Sequence, residues 1–145
     1  MYSMFSLLVL HLLGASVWVG GHLILLLTVV PSAMRSGDPE MIRAFEESYE
    51  KIGVPALVLQ VVTGLWLANS YVPGILPALD MSDPLRTAIA WKLILLLATF
   101  VIGAHARLFI IPNLNKERLP WMAVHILLIT MIALAMLVLG ASVRL

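Results

Sequence analysis

The sequence has no cysteine and little charge, since 12% of its 145 residues are Asp, Glu, Lys or Arg. The absence of cysteine excludes disulfides, thiolate metal sites and cysteine nucleophiles. Any metal must therefore be held by His, Met, carboxylate or backbone groups. Nine basic residues offset eight acidic ones, which gives a net charge of +1 and no polybasic surface. We therefore expect no nucleic-acid partner.

In place of charge the sequence has apolar residues, which make up 61% of the chain and give it a mean hydropathy of +1.02. Soluble domains contain about 45–50% apolar residues, so a soluble globule is excluded. Disordered and fibrous chains are excluded as well, because bulky aliphatic residues are abundant and glycine shows no regular period. The composition predicts one small integral membrane domain surrounded by lipid.

Four apolar runs are close to or above the roughly 20 residues that a helix needs to cross a bilayer. They cover residues 5–30, 54–71, 88–111 and 121–143. The first run lacks the basic start of a signal peptide, so we expect a retained helix. Pro31 should close the first run, and Pro55 and Pro120 should open the second and the fourth. Because the loops are short, we predict an all-α, antiparallel four-helix bundle in the membrane.

Loop charges predict the orientation of this bundle. One side carries six basic residues, namely Arg35, Arg43, Lys51, Arg107, Lys116 and Arg118. The other side carries Arg86 and Arg144, and Lys92 lies just inside the third run, where its stem can reach outward. Both termini should therefore lie outside, in the periplasm of a bacterium, with the domain in the inner membrane. On the inner side, residues 38–50 fit either a short amphipathic helix at the interface or a solvated acidic loop.

All four histidines, His11, His22, His105 and His125, fall inside the predicted spans. An ionisable side chain in hydrocarbon is costly and by default marks a functional site. This placement favours metal or cofactor ligation by all four. The alternative is that each imidazole only bridges helices, through a hydrogen bond to a backbone carbonyl or a threonine hydroxyl.

Depth along the helices separates the histidines into two layers. At a rise of about 1.5 Å per residue, His22, His105 and His125 each lie roughly 27–28 Å from the outer boundary, and His11 lies about 10 Å from it. His11 and His22 are three helical turns apart, so both face the same way. Met136 has the same spacing from His125 and returns to the depth of His11. We expect an inner layer of three histidines and an outer layer of one histidine and one methionine.

Haem b suits the inner layer, because a four-helix bundle accepts a porphyrin between facing helices with two imidazoles on the iron. His11 then either binds a second haem, with Met136 as its partner, or accepts protons beside a quinone. Copper is the alternative, since three imidazoles and a thioether are also suitable copper ligands.

Other side chains of the spans could support such a site. Arg107, two residues after His105, is placed to neutralise a haem propionate, and the alternative is an anchor of the positive-inside kind. Trp18 lies on roughly the face of His11, either as the wall of a cofactor pocket or as core packing. Gln60 and Thr63 are the strongly polar residues of the second run, and they could bond propionates, an imidazole or a quinone.

Several motifs resemble the copper-resistance D (CopD-like) membrane domain across the first three helices. They are HLLGASVWVGG at residues 11–21, TGL at 63–65, LRT and WKL within 85–93, and GAHAR at 103–107. The resemblance implies a four-helix membrane domain linked to copper handling or to haem. HemJ-type protoporphyrinogen oxidases, which bind haem b, are similar more distantly. The chain lacks their motifs after the first helix and at the fourth, where His125 stands instead.

We therefore predict a membrane b-type cytochrome that passes electrons between a quinone or a partner protein and an acceptor, with an oxidoreductase activity left open. The competing hypothesis is a CopD-like copper transport or resistance protein, and a third is a structural subunit of a respiratory complex. No catalytic base, nucleophile or phosphate loop is visible in the sequence. Glycine faces on the helices could support a homodimer.

Overall fold

The computed structural model describes residues 2–143, which fold into helices without a strand in that range. Four helical spans are long and apolar enough to cross a membrane, and we number them in chain order: Ser3–Ser36, Glu40–Tyr71, Pro84–Asn113 and Lys116–Ser142. Helices are expected there because lipid offers no partners to unpaired backbone groups. The predicted all-α class and its four spans are confirmed. Arg144, which entered the charge count, lies outside the described residues.

The first span extends beyond Pro31, where we expected it to end. It consists of an α-helix over Tyr2–Ile24, a π-helical turn over Leu25–Val29 and an α-helix over Val30–Ser36. A proline ring clashes with the carbonyl four residues earlier, and that carbonyl belongs to the π-helical turn, whose wider winding relieves the clash. The helix ends instead at Gly37, which adopts the left-handed conformation with φ 68°.

The second span begins at Glu40, so the broad inner loop expected over residues 31–53 is reduced to residues 37–39. Residues 40–53, expected as an interfacial helix or an acidic loop, continue directly into the apolar part of the span. Pro55 accordingly lies inside a long helix and does not open one. Burial of Ile42, which is 1% exposed, holds this extension against the other spans.

The third and fourth spans repeat these features. The third is an α-helix over Pro84–His105, a π-helical turn over Ala106–Ile110 and a 3-10 turn over Ile111–Asn113, so a π-helical turn again precedes a proline, Pro112. A 3-10 turn over Lys116–Arg118 leads into the α-helix Leu119–Ser142 of the fourth. The loop between the second and third spans contains one short helix, Ile75–Ala78.

Side-chain contacts show how the spans lie against one another. The first and second spans have the most extensive contact, and the fourth packs against both the first and the third. His11 contacts Gln60 while Tyr49 contacts Val17, so the first two spans run in opposite directions. We call the end with residues 37–39 and 114–115 the inner end, and the end with the loop of residues 72–83 the outer end.

Most of the apolar core lies at the inner end. Its buried residues come from the first, second and fourth spans and from the connection between the last two: Leu25, Val30, Ala33, Ile42, Leu114, Leu119, Met122 and Ile126. Ile110 and Ile111 of the third span are partly buried and pack against them. A smaller cluster at the outer end joins Val72, Ala78 and Ile89. The cavity described next borders the outer cluster, since Ile89 belongs to both.

Candidate functional site

A cavity of about 300 Å³ lies between all four spans in the outer half of the molecule. Aliphatic side chains form most of its wall. The polar and sulfur-containing side chains of the wall are fewer and include those of His11, Gln60, Lys92, Thr99 and Met136. A mainly apolar cavity with a few converging polar groups is the usual form of a small-molecule or cofactor site.

The imidazole of His11 is held in one orientation by the second span. Its Nδ1 lies 2.8 Å from the carbonyl oxygen of Gln60 and 3.2 Å from Oγ1 of Thr63. A carbonyl only accepts, so Nδ1 carries the proton and donates it, and Nε2 of the neutral ring keeps its lone pair. Gly64 makes room for the ring, because a Cβ there would lie 2.7 Å from Cε1 of His11. His11 therefore presents a free ring nitrogen on a side chain that lines the cavity.

Two polar groups of the cavity wall have no partner within residues 2–143. Lys92 makes neither an ion pair nor a hydrogen bond in that range, and its Nζ lies against Gly140, where a Cβ would be 2.8 Å away. Oε1 of Gln60 is buried and likewise lacks a hydrogen-bond donor. Unpaired polar groups inside a membrane domain are costly and point to a function. A ligand with an anionic group would satisfy Lys92.

Lys92 lines the cavity from the third span, and its Nζ lies against Gly140, two residues before the outer end of the fourth span. The side chains of the third span that line the cavity are Leu85, Ala88, Ile89, Lys92, Leu93, Leu96 and Thr99. Lys92 therefore belongs to one helical face with the three- and four-residue spacing of a buried stripe. The three- and four-residue spacing of this face is visible in the sequence.

Met136 and Trp18 also line this cavity. The structure thus brings together three of the residues that the sequence singled out: His11 and Trp18 from the first span and Met136 from the fourth. An imidazole and a thioether on one cavity wall are a usual pair of haem ligands and a suitable pair for copper.

His22 lies outside the cavity wall and is 8% exposed. Its Nδ1 donates to the carbonyl of Trp18 at 3.0 Å, and its ring centroid lies 4.3 Å from that of Trp18. On the other side it meets the edge of Tyr49, whose hydroxyl donates to the carbonyl of Val17 at 2.8 Å. His22 is therefore directed toward the contact between the first and second spans.

His105 and His125 contact each other at the inner ends of the third and fourth spans. Nδ1 of His105 lies 2.8 Å from Nε2 of His125, and Nδ1 of His125 lies 2.8 Å from the carbonyl of Trp121. Because the Trp121 carbonyl only accepts, Nδ1 of His125 is protonated. In the neutral pair Nε2 of His125 therefore accepts a hydrogen bond from Nδ1 of His105.

The expected layer of three histidines is thus divided between two places. His105 pairs with His125, whereas the ring neighbours of His22 are Trp18 and Tyr49. Across residues 2–143, no three His, Asp or Glu side chains are grouped closely enough to hold one metal ion. Equal depth sets the height of a residue along the bundle, but it does not set the direction in which the side chain points.

Arg107 pairs with an acidic residue of the second span, since its Nη1 lies 3.0 Å from Oε2 of Glu50. Both line a smaller cavity of about 220 Å³ at the inner end, together with Arg43, Glu46 and Glu47. We did not predict this pair, because we expected Glu50 in an interfacial helix or an acidic loop and not in the second span. We expected Arg107 to neutralise a haem propionate, and in the structure it pairs with a carboxylate of the protein itself.

No protein-family description, no curated protein and no solved structure matches this chain. The resemblance to CopD-like domains therefore stays a prediction from the motifs.

Proposed function

We propose that the chain is a membrane b-type cytochrome that binds haem b in the outer cavity, with His11 as an axial ligand. The observation that carries this proposal is the orientation of His11. Its Nδ1 donates to the Gln60 carbonyl at 2.8 Å, which leaves Nε2 free on a cavity-lining side chain. Metal-bound histidines usually have this arrangement, with the second nitrogen donating to a carbonyl or a carboxylate.

The other residues of the cavity suit the same cofactor. Met136 would offer a thioether as a second ligand of the iron. Lys92, without a partner inside residues 2–143, can pair with a propionate. Haem b is a largely apolar plate with two acidic side chains, which agrees with an aliphatic wall and one cationic group.

The inner histidine pair suits haem less well. An iron between two imidazoles on opposite faces needs the two nitrogens about 4 Å apart, given metal–nitrogen bonds of about 2 Å. Nδ1 of His105 and Nε2 of His125 are 2.8 Å apart and bonded to each other. We therefore assign the cofactor to the outer layer, and His22, His105 and His125 are not its ligands in this proposal.

Bound haem would supply reversible one-electron transfer at a potential set by its ligands and surroundings. The protein's own contributions follow from the contacts. The Gln60 carbonyl and the Thr63 hydroxyl orient the His11 ring and increase its basicity as a ligand. The aliphatic wall excludes water, and Lys92 balances negative charge. A quinone or a partner protein would supply or receive the electron.

The proposal includes an orientation in the membrane. Arg35, Arg43, Lys116 and Arg118 lie in or beside the connections at the inner end, and Arg86 lies at the outer end. The positive-inside rule then places both termini of an antiparallel four-helix bundle on the periplasmic side of a bacterial inner membrane. The outer cavity lies nearer that side. A homodimer through exposed helix faces is compatible with this orientation.

Copper binding is the second candidate, and it is favoured by the presence of His11 and Met136 on one cavity wall. Imidazole and thioether together suit Cu(I). Lys92 on the same wall opposes this candidate, because a positive charge repels a metal cation and attracts a propionate.

The test is an absorption spectrum of the protein purified in detergent from a haem-replete host. We expect a Soret band and, after reduction, the α and β bands of b haem, at up to one haem per chain. His11→Gln should lose this haem, whereas His22→Gln, a matched histidine of the same span, should retain it. A colourless protein with one copper per chain would favour the copper candidate. Loss of haem in His22→Gln together with retention of haem in His11→Gln would contradict the proposal and would favour haem ligands in the inner layer of histidines.

A further inference from the structure

We propose that His105 and His125 form a second, independent site, which binds a divalent transition-metal cation, Cu²⁺ or Zn²⁺, between the third and fourth spans. The two ring nitrogens that face each other are 2.8 Å apart, with ring centroids 5.0 Å apart and ring planes within 10°. Two imidazoles from neighbouring helices thus converge on one point. This site does not depend on the cofactor proposed for the outer cavity.

One of the two ligands is already in a metal-binding orientation. Nδ1 of His125 donates to the Trp121 carbonyl at 2.8 Å, so the ring is fixed and Nε2 directs its lone pair toward His105. A backbone carbonyl on the remote nitrogen is the usual second contact of a metal-bound histidine. The other ligand needs a proton shift within one ring. His105 moves its proton from Nδ1 to Nε2, and the metal then takes the place of the shared proton.

The separation of the two nitrogens is close to what a metal requires. Metal–imidazole bonds of about 2.0–2.1 Å at a tetrahedral angle place the two nitrogens about 3.3 Å apart. The pair therefore has to open by about 0.5 Å from its observed 2.8 Å, and the two rings have to tilt so that both lone pairs point at the metal. No electron is transferred and both rings stay neutral, so binding is a simple exchange of a hydrogen bond for two coordinate bonds.

A cation reaches the pair from the inner side, because both rings lie roughly 27–28 Å from the outer boundary of a hydrocarbon core that is about 30 Å thick. Neither ring lines the outer or the inner cavity. Arg107, the nearest basic residue along the chain, is paired with Glu50 at 3.0 Å. Within residues 2–143 no third His, Asp or Glu completes the group, so water fills the remaining positions. Imidazole ligands select Cu²⁺ and Zn²⁺ over Mg²⁺ and Ca²⁺.

The test titrates Cu²⁺ into the full chain in lipid nanodiscs and records electron paramagnetic resonance. We expect one Cu²⁺ per chain with two imidazole nitrogens, and ¹⁵N-labelled histidine should change the nitrogen hyperfine pattern. His105→Gln and His125→Gln should each lower the affinity about tenfold or more. His22→Gln, whose Nδ1 also donates to a carbonyl of its own helix, should change the affinity less than twofold. The difference in copper content between the natural sequence and His11→Gln gives the amount of copper bound in the outer cavity.

Three results would overturn this site: no copper binding by the natural sequence, a bound copper with fewer than two histidine nitrogens, or unchanged affinity in both variants. The first two need no variant, so a variant that fails to fold does not weaken the test. Zn²⁺ should compete with Cu²⁺ for the same site. The haem content of His105→Gln reports on the cofactor proposal alone, because loss of haem there would contradict that proposal and not the metal site.

Discussion

At the inner end of the molecule, Leu25, Ile42 and Leu119 are only 1–2% exposed, whereas similar aliphatic side chains in the outer half line a cavity of about 300 Å³. Both regions are apolar, and both use all four spans. The inner cluster holds the helices together through close contacts, which is the main source of association between helices in lipid. The outer half has fewer such contacts, and the cavity there leaves space for a ligand.

Side-chain size accounts for the difference between the two regions. The cavity wall contains small residues from every span: Ala15, Gly64, Ala68, Ala88, Ala133 and Gly140. The buried residues of the inner cluster have larger side chains, apart from Ala33. Hydropathy treats these residues as similar, but volume decides whether four helices close on each other or enclose a site.

The largest expected effect comes from filling the cavity. Ala88 lines it and is 6% exposed, so Ala88→Phe places a ring in the space that we assign to haem. We expect haem content to fall below a tenth of the normal value, because overpacking also displaces neighbouring side chains. Ala104→Phe, at an exposed position of the same span, is the matched control and should retain full haem. The Soret absorbance per chain measures both.

The next prediction compares the free energy of unfolding after truncation of a side chain in the packed inner cluster and of one at the wall of the outer cavity. Leu25→Ala at the inner end should lower the free energy of unfolding by about 2–5 kcal/mol, the usual cost of emptying a packed site. Leu96→Ala, at the cavity wall, should cost about 1 kcal/mol or less, because that side chain already borders empty space. Denaturant titration of haem-free protein in mixed micelles gives both values. Equal costs would mean that the outer cavity is filled in the membrane.

Much of the fold, and part of the site, could be predicted from the sequence. Four apolar runs suffice for four helices, since a continuous apolar run of about 20 residues can satisfy its backbone groups in lipid only as a helix. The ends of the helices were harder to predict, because Pro31 and Pro112 each follow a π-helical turn. No residue pattern in the sequence predicts such a turn. His11 and Met136 were recognised by depth, whereas Lys92 and the pairing of Arg107 with Glu50 depend on how the spans rotate about their axes. The rotation of each span about its axis is set by its packing against the other spans, and a hydropathy pattern does not predict it.

A smaller effect should follow from displacing the His11 ring without changing the ring itself. A Cβ at Gly64 would lie 2.7 Å from Cε1 of His11, so Gly64→Ala must move the ring or the second span. We expect haem affinity to fall about tenfold, the lower end of the effect of disturbing the support of a metal ligand. Gly20→Ala is the control, since a Cβ at Gly20 has nothing within 4 Å. Transfer of haem to an apo-protein acceptor measures the affinity. An unchanged haem affinity in Gly64→Ala would indicate that His11 is not a ligand of the cofactor.

The smallest effect concerns a single hydrogen bond to the proposed ligand. Thr63→Val keeps the shape of the side chain and removes the oxygen 3.2 Å from Nδ1 of His11, while the Gln60 carbonyl at 2.8 Å still accepts the proton. Because one acceptor remains, the loss should be below about 1 kcal/mol, a few-fold in haem affinity, with a measurable change in the midpoint potential. Thr99→Val is the matched control, since Thr99 also lines the cavity and bonds only the Leu95 carbonyl of its own helix. If both variants shift the potential equally, the polarity of the cavity sets it; a shift in Thr63→Val alone assigns the effect to the orientation of His11.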